Sequence, residues 1–161
     1  MTTTEPKAPV EIFFSYAHKD ESFKSDLVDH LAVLRRKGVI SAWHDRDIDA
    51  GDEWEKEISE NLEKAHIILL LVSTSFLASN YCWSIEMDRA MARHASGEAR
   101  VIPIILKPCD WKDAPFAKLQ ALPKDAKPIT SWSSSDEAYL NVVEGIRRVL
   151  NKAPPLAGRK T

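Results

Sequence analysis

The sequence predicts an α/β domain with a parallel sheet, because short apolar runs alternate with amphipathic stretches along its 161 residues. The most apolar run is residues 66–73 (HIILLLVS). A strand this apolar is normally covered on both faces, as in a parallel sheet. Between the runs, apolar residues return every three or four positions, as at Phe23, Leu27 and Leu31, which is typical of helices.

Five strands are expected, each a short apolar run bounded by turn residues. In chain order they are residues 10–14, 39–43, 66–73, 101–106 and 127–132. Pro103 lies inside the fourth strand and removes one backbone donor from its ladder, which counts against that strand.

Helices are expected between the strands, over residues 20–37, 53–65, 81–94 and 134–150. Gly38 follows the first helix, at the position where a left-handed residue commonly ends one. Ser134 precedes two acidic residues and is expected to cap the last helix. Residues 74–80 are expected to form a turn, and residues 107–127, which prolines interrupt, an irregular segment.

This order predicts a flavodoxin-like three-layer fold, with a five-stranded parallel sheet in the order 2-1-3-4-5 and helices on both faces. The domain is expected to span residues 9–151, between a flexible tail (1–8) and a C-terminal tail or linker (152–161). Ligands of such sheets bind beyond the carboxyl ends of the strands, at the switch point between strands 1 and 3. The segments that follow strands 1, 2 and 3 should therefore meet there.

Composition excludes several classes of function. Lys plus Arg number 22 and Asp plus Glu 24, for a net charge of -2, so the net basic charge of a nucleic-acid binder is absent. The longest apolar run, residues 67–72, is far shorter than the roughly 20 residues that cross a bilayer. Cys82 and Cys109 form no CxxC pair and are expected to be free thiols. A cytoplasmic protein that binds neither nucleic acid nor membrane is predicted.

The expected ligand site also lacks several known chemistries. No glycine-rich phosphate loop follows strand 1, and strand 3 ends in Ser73 rather than in the Asp of a phospho-receiver. The alternating aspartates of residues 45–49 suggest a calcium loop, but its sixth and twelfth positions hold Ala50 and Lys56 instead of Gly and Glu. The histidines lack zinc-ligand spacing, and no GxSxG elbow indicates a hydrolase triad. No metal site is predicted.

Three segments occur in an order that resembles a Toll/interleukin-1 receptor (TIR) domain of the bacterial type. They are residues 13–17 (FFSYA), 45–54 (DRDIDAGDEW) and 72–86 (VSTSFLASNYCWSIE). The resemblance covers about residues 9–150. It implies that the loop after strand 2 is the family's BB loop. It also implies that the catalytic residue of the NAD-cleaving members, a Glu in the third helix, is Glu86.

The resemblance further implies a substrate site around Glu86. The loop after strand 1 is expected to contact the ligand through Phe14, Ser15 and Tyr16. Arg46, the only arginine of the BB loop, is expected to pair with a diphosphate. Four further contacts are expected from the BB loop, the start of the second helix and the segment before Glu86: Asp49, Trp54, Ser79 and Trp83.

One motif departs from the family pattern. The family often has a Trp four residues before the Glu, where this sequence has Cys82, and the tryptophan is one position later, at Trp83. Residues three apart on a helix are still neighbours, so Trp83 is expected to support the same pocket.

The implied reaction needs only one carboxylate. Ordinary glycosidases need a second carboxyl to protonate the leaving oxygen, whereas nicotinamide leaves NAD+ as a neutral base. A fixed carboxylate stabilises the oxocarbenium-like centre that remains. The resemblance therefore implies an NAD+ glycohydrolase or cyclase that acts in bacterial defence signalling, needs no cofactor besides its substrate, and forms ADP-ribose or a cyclic isomer.

Two alternatives stay open. One is a non-catalytic adaptor that binds other TIR domains through the BB loop, and the other is a nucleotide sensor without turnover. The resemblance also implies self-association through TIR–TIR contacts, including filaments.

Overall fold

The structure is a computed structural model that describes residues 9–48 and 58–152. Four parallel strands form one sheet in the order β2-β1-β3-β4 within these residues. The strands are β1 (Val10–Ala17), β2 (Ile40–Ile48), β3 (Ile67–Val72) and β4 (Arg100–Ile105). The α/β architecture is as predicted, and the first four strands stand in the predicted order. The predicted N-terminal tail (1–8) and residues 153–161 of the predicted C-terminal tail (152–161) lie outside the described residues, whereas Lys152 is the last residue of a helix.

Six α-helices accompany the strands in the described part of the chain. They are α1 (Glu21–His30), α2 (Ala32–Arg36), α3 (Glu60–Lys64), α4 (Thr74–Ala78), α5 (Ile85–Ser96) and α6 (Ser135–Lys152). The predicted first helix is interrupted at Leu31. Gly38 follows it with a φ of 79°, the left-handed conformation predicted there. None of the described helices is both long and apolar enough to span a bilayer.

Each face of the sheet carries its own hydrophobic core, because alternate strand residues point to opposite faces. On one face, which we call the α6 face, Phe14 and Leu69 pack with residues of α1, α2 and α6. On the other, the α5 face, Phe13 and Leu70 pack with residues of α3, α4 and α5. Every residue of β3 is buried, which explains why its sequence is apolar throughout.

β1 and β2 both continue beyond their predicted ends. Ser15 and Tyr16 lie in β1, and Arg46 lies in β2, where the prediction placed loops. The register pairs Ser15 with Arg46 and Tyr16 with Asp47. Strand pairing with β1 outweighs the low strand propensity of the aspartates in this stretch.

The fifth predicted strand is wrong. Residues 127–132 contain a 3-10 turn at Ile129–Ser131, and β4 is bordered instead by a single bridge between Ile104 and Leu122. Pro128 lies inside this segment and Pro123 precedes it, and both lack the N–H group that a hydrogen-bond ladder requires. The sheet therefore has four strands in the part of the chain that is described.

Pro103 is accommodated because its missing N–H faces away from β3. The N–H groups of Arg100 and Leu106 donate toward the β3 side, so residue 103 faces the outer edge. There the Pro103 carbonyl accepts from the Leu122 N–H at 2.9 Å, and the Ile105 N–H donates to the Leu122 carbonyl at 2.9 Å. The predicted order 2-1-3-4-5 placed β4 inside the sheet, whereas β4 is the edge strand among the described residues, a position that tolerates proline.

Three serines determine where the central helices begin. Ser59, Ser73 and Ser84 each accept a hydrogen bond from an N–H two or three residues later. As a result α3 and α5 begin later than predicted, and α4 replaces a predicted turn. The predicted helical residues 53–57 lie outside the described residues.

Two half-buried histidines should make stability depend on pH. Nδ1 of His66 accepts from the Glu11 N–H at 2.9 Å, and Nδ1 of His94 accepts from the Val101 N–H at 3.0 Å. Burial lowers the pKa of both imidazoles below the ordinary value of 6.5. The unfolded chain therefore takes up more protons, so this stabilisation is present above pH 6.5 and is lost as the pH falls through that value.

We expect the Tm to fall between about pH 7.5 and about pH 5.5, the range in which unperturbed histidines titrate. The Tm of the double variant His66→Asn/His94→Asn should fall less over this range. The Asn Oδ1 still accepts a hydrogen bond from the N–H group but does not titrate. Differential scanning calorimetry at several pH values measures this. An identical pH dependence in the variant would contradict it.

Candidate active site

Glu86 is fully buried (0% exposed) in the first turn of α5. A glutamate is almost never fully buried unless it is paired. Ser84 caps the helix just before Glu86, and the chain from β3 to this cap passes through α4 and a 3-10 turn. These elements place the carboxylate beside the carboxyl-terminal half of β2, which contains its main hydrogen-bond partner.

That partner is Arg46, which binds both oxygens of the carboxylate. Nε of Arg46 donates to Oε1 of Glu86 at 2.9 Å, and Nη2 donates to Oε2 at 2.8 Å. Bidentate pairs of this kind are among the strongest hydrogen-bonded contacts in proteins. The backbone N–H of Ser59, at the cap of α3, donates to Oε2 at 2.9 Å.

Tyr81 extends this network to β1. Its hydroxyl donates to Glu86 and lies 3.0 Å from Oγ of Ser15. Burial, and then the charge of Glu86, raise the pKa of Tyr81 well above 10, so the phenol stays neutral and keeps its proton for the carboxylate. We call Ser15, Arg46, Tyr81 and Glu86 the Glu86 cluster.

The cluster confirms the predicted meeting of the chain after strands 1, 2 and 3, although Ser15 and Arg46 lie within strands. Its members come from β1, β2, the 3-10 turn Asn80–Trp83 and α5. The carboxylate is fixed by a guanidinium, a phenol and a backbone amide. An oriented, buried negative charge of this kind can stabilise a positive centre without reorganising.

Two predicted ligand contacts point to the opposite face of the sheet. Phe14 is buried in the core of the α6 face, where its ring centroid is 6.2 Å from that of Trp43. The Tyr16 hydroxyl donates to Asp45 at 3.3 Å, and burial raises the pKa of Tyr16. The alternation of side chains along β1 therefore separates both residues from Glu86.

Other predicted contacts also lie apart from the cluster or outside the described residues. Trp83 is on the surface, 66% exposed, and is not part of the buried Glu86 cluster. Oγ of Ser79 donates to the Phe76 carbonyl at 2.6 Å and so completes the end of α4. Asp49 and Trp54 lie outside the described residues.

Sequence reasoning missed two contributors to the cluster. Tyr81 was not predicted, although a tyrosine beside a buried turn signals a hydroxyl that needs a partner. Ser59 contributes only a backbone N–H, which no residue type reveals. Cys82, which stands at the motif's tryptophan position, is fully buried, and burial raises the pKa of its thiol to about 11.

A second buried carboxylate joins the ends of three strands. Oδ2 of Asp20, which follows β1, accepts from Oγ of Ser73 at 2.5 Å, and Nζ of Lys107 lies 3.5 Å from Oδ1. Ser73 follows β3 and caps α4, while Lys107 follows β4. This contact holds together the loops that position α4 and the turn carrying Tyr81.

A surface group also brings together three residues that can bind metals. Ligand atoms of His18, Glu21 and Asp47 lie within 4.8 Å of one another. Nδ1 of His18 is 3.0 Å from both carboxylate oxygens of Asp47, and this contact accounts for the closeness of His18 and Asp47. No metal-ligand spacing marks this group in the sequence, because Asp47 lies on β2, far along the chain from His18 and Glu21.

Comparisons with known proteins place the chain in a family. A family model described as TIR domain matches residues 12–140. "Uncharacterized protein y4lF" of Sinorhizobium fredii (strain NBRC 101917 / NGR234) is 51% identical over 150 residues, which make up 89% of this chain and 46% of that protein. The 2' cyclic ADP-D-ribose synthase BtTIR of Bacteroides thetaiotaomicron is 30% identical over 101 residues, 62% of this chain and 34% of that protein. The chain thus spans less than half the length of either relative. It belongs to the TIR domain family.

Proposed function

We propose that the chain cleaves the nicotinamide–ribose bond of NAD+ and releases nicotinamide with ADP-ribose or a cyclic isomer. The observation that carries this proposal is the buried carboxylate of Glu86, held in place by Arg46, Ser59 and Tyr81. TIR membership, and the relative named as a cyclic ADP-ribose synthase, support the same substrate. We place the reaction in the cytoplasm, which suits the free thiols of both cysteines.

The proposed chemistry follows from the charge of one side chain. The bond between C1 of the ribose and the pyridinium nitrogen breaks, and its electron pair leaves with nicotinamide as a neutral base. The positive charge that develops at C1 is stabilised by the carboxylate of Glu86, which also accepts from a ribose hydroxyl. Attack by water on C1, with release of a proton to solvent, gives ADP-ribose, and attack by a group of the same nucleotide gives a cyclic isomer.

The direct test is incubation of the purified chain with NAD+ at high protein concentration, followed by chromatography of the products. We expect free nicotinamide together with ADP-ribose or a cyclic isomer, and base exchange when a substituted pyridine is added. If no turnover occurs even when the protein is concentrated enough to assemble, the proposal fails and the adaptor alternative is favoured.

A basic groove supports self-association as part of this proposal. The groove lies between β4 and α6, and Asp125 is the only acidic residue among the described residues that line it. No ion pair joins its five Lys and Arg side chains to the described residues. They are Arg100, Lys118, Lys124, Arg148 and Lys152. The stretch 45–57 of the same sequence has seven Asp and Glu against one Arg and one Lys. We propose that this stretch of one copy binds the groove of the next.

Charge reversal in the groove should therefore weaken self-association. We expect Lys118→Glu/Arg148→Glu to raise the dissociation constant about tenfold or more, because it places like charges opposite each other. Sedimentation velocity at several salt concentrations measures this. The control Arg36→Glu/Lys37→Glu makes the same change of charge beside β2, at the other edge of the sheet. Equal association of both variants would show that the groove is not the interface.

A further inference from the structure

The carboxylate that the proposed reaction needs is covered. Glu86 is 0% exposed, and each of its oxygens accepts a hydrogen bond from Arg46. A ribose hydroxyl cannot reach these oxygens while the guanidinium occupies them. Of the two side-chain partners of Glu86 among the described residues, Tyr81 is buried, whereas 24% of the Arg46 side chain is exposed. Access to Glu86 therefore requires Arg46 to move.

Moving Arg46 into water alone is unfavourable. It would leave the buried charge of Glu86 with only the Ser59 N–H and the Tyr81 hydroxyl, and breaking one side of a buried ion pair is strongly destabilising. The loss is smallest when the guanidinium finds another anion with paired oxygens. Phosphate oxygens match the guanidinium fork as a carboxylate does.

We propose that Arg46 exchanges partners and thereby determines substrate specificity. It pairs with Glu86 in the empty site and with the diphosphate of the bound nucleotide in the loaded site, so that only a nucleotide carrying this anion uncovers Glu86. The neutral Tyr81, which Ser15 contacts from β1, keeps the carboxylate oriented after Arg46 has left. What Glu86 does once uncovered rests on the proposed function, whereas the exchange itself requires no turnover.

Competition for one guanidinium gives a binding test that is independent of catalysis. If Glu86 and the diphosphate compete for Arg46, then Glu86→Gln should bind ADP-ribose about tenfold more tightly than the wild type, because Arg46 is available in a larger fraction of molecules. Isothermal titration calorimetry measures this. The double variant Arg46→Gln/Glu86→Gln should not show this increase in ADP-ribose affinity.

The chain offers a matched control on its surface. Arg89 binds Glu63 with the same bidentate geometry, at 2.8 and 2.9 Å, and both side chains are 38% exposed. Glu63→Gln removes the bidentate carboxylate partner of an arginine outside the site, so ADP-ribose affinity should stay at the wild-type value. Unchanged affinity in Glu86→Gln, or a gain that survives in the double variant, would overturn the exchange.

A second measurement addresses specificity in turnover. Nicotinamide riboside has the same scissile bond as NAD+ but no diphosphate, so the wild type should strongly prefer NAD+. We expect Arg46→Gln to reduce the ratio of kcat/KM for NAD+ over the riboside about tenfold or more, since the anion no longer has a role in uncovering Glu86. An unchanged ratio would contradict the proposal.

The two experiments separate this inference from the proposed function. Tighter ADP-ribose binding by Glu86→Gln, without any NAD+ turnover by the wild type, would retain the exchange and reject the reaction. NAD+ turnover with unchanged binding in Glu86→Gln would retain the reaction and reject the exchange.

Discussion

Glu86→Gln should lower kcat for nicotinamide release by about 100-fold or more while the protein remains folded. Glutamine has nearly the same shape and still accepts from the Ser59 N–H and the Tyr81 hydroxyl, which bond Glu86 here. Its neutral amide cannot stabilise the positive charge that develops at the ribose. The measurement is kcat at saturating NAD+, with circular dichroism and thermal unfolding to confirm the fold.

Two further variants show whether kcat depends on the charge of the carboxylate, on its position, or on both. Glu86→Asp keeps the charge but shortens the side chain, so we expect an activity between those of the wild type and Glu86→Gln. Asp88→Asn removes an exposed carboxylate from the same first turn of α5 and should leave kcat unchanged. Near-full activity in Glu86→Gln would show that Glu86 is not the catalytic carboxylate.

The ion pair between Arg46 and Glu86, which organises the site, could not be predicted, although each residue was predicted to belong to the site. Arg46 and Glu86 were identified from motifs and strand order, but they lie 40 positions apart on different elements. Their contact depends on how far β2 extends and where α5 begins. Both boundaries were misplaced, because strand pairing and the Ser84 cap determine them rather than local hydrophobicity.

The side chains of β1 show the same dependence on exact strand boundaries. Phe14, Ser15 and Tyr16 were all expected to contact the ligand, as residues of a loop can. Because β1 continues to Ala17, successive side chains must alternate between faces, and only Ser15 joins the Glu86 cluster. The three residues were expected to act as loop residues because the end of β1 was predicted too early. The alternation of strands and helices, which needs no exact boundaries, was sufficient to predict the layered fold.

Arg93→Ala should destabilise the fold by about 3 kcal/mol, since it removes charged hydrogen bonds from a buried position. Nη1 of Arg93 donates to the carbonyls of Leu62 at 2.6 Å and Ala65 at 2.8 Å, and Nη2 donates to the Glu98 carbonyl at 3.2 Å. Alanine leaves the buried carbonyls at the end of α3 without this donor. Urea unfolding followed by circular dichroism measures the loss.

Arg89→Ala is the control, because Arg89 lies on the same helix but forms its bidentate pair with Glu63 at the surface. Exposed pairs contribute about 1 kcal/mol or less.

Arg93 also links α5 to the helix that contacts Glu86. It lies seven residues, about two helical turns, beyond Glu86 on α5 and bonds to the end of α3. Ser59, at the cap of α3, donates to Glu86. Losing that anchor should therefore also lower the activity of the molecules that remain folded. Equal stability of the two variants would show that the buried carbonyls find other donors and that α5 is positioned without Arg93.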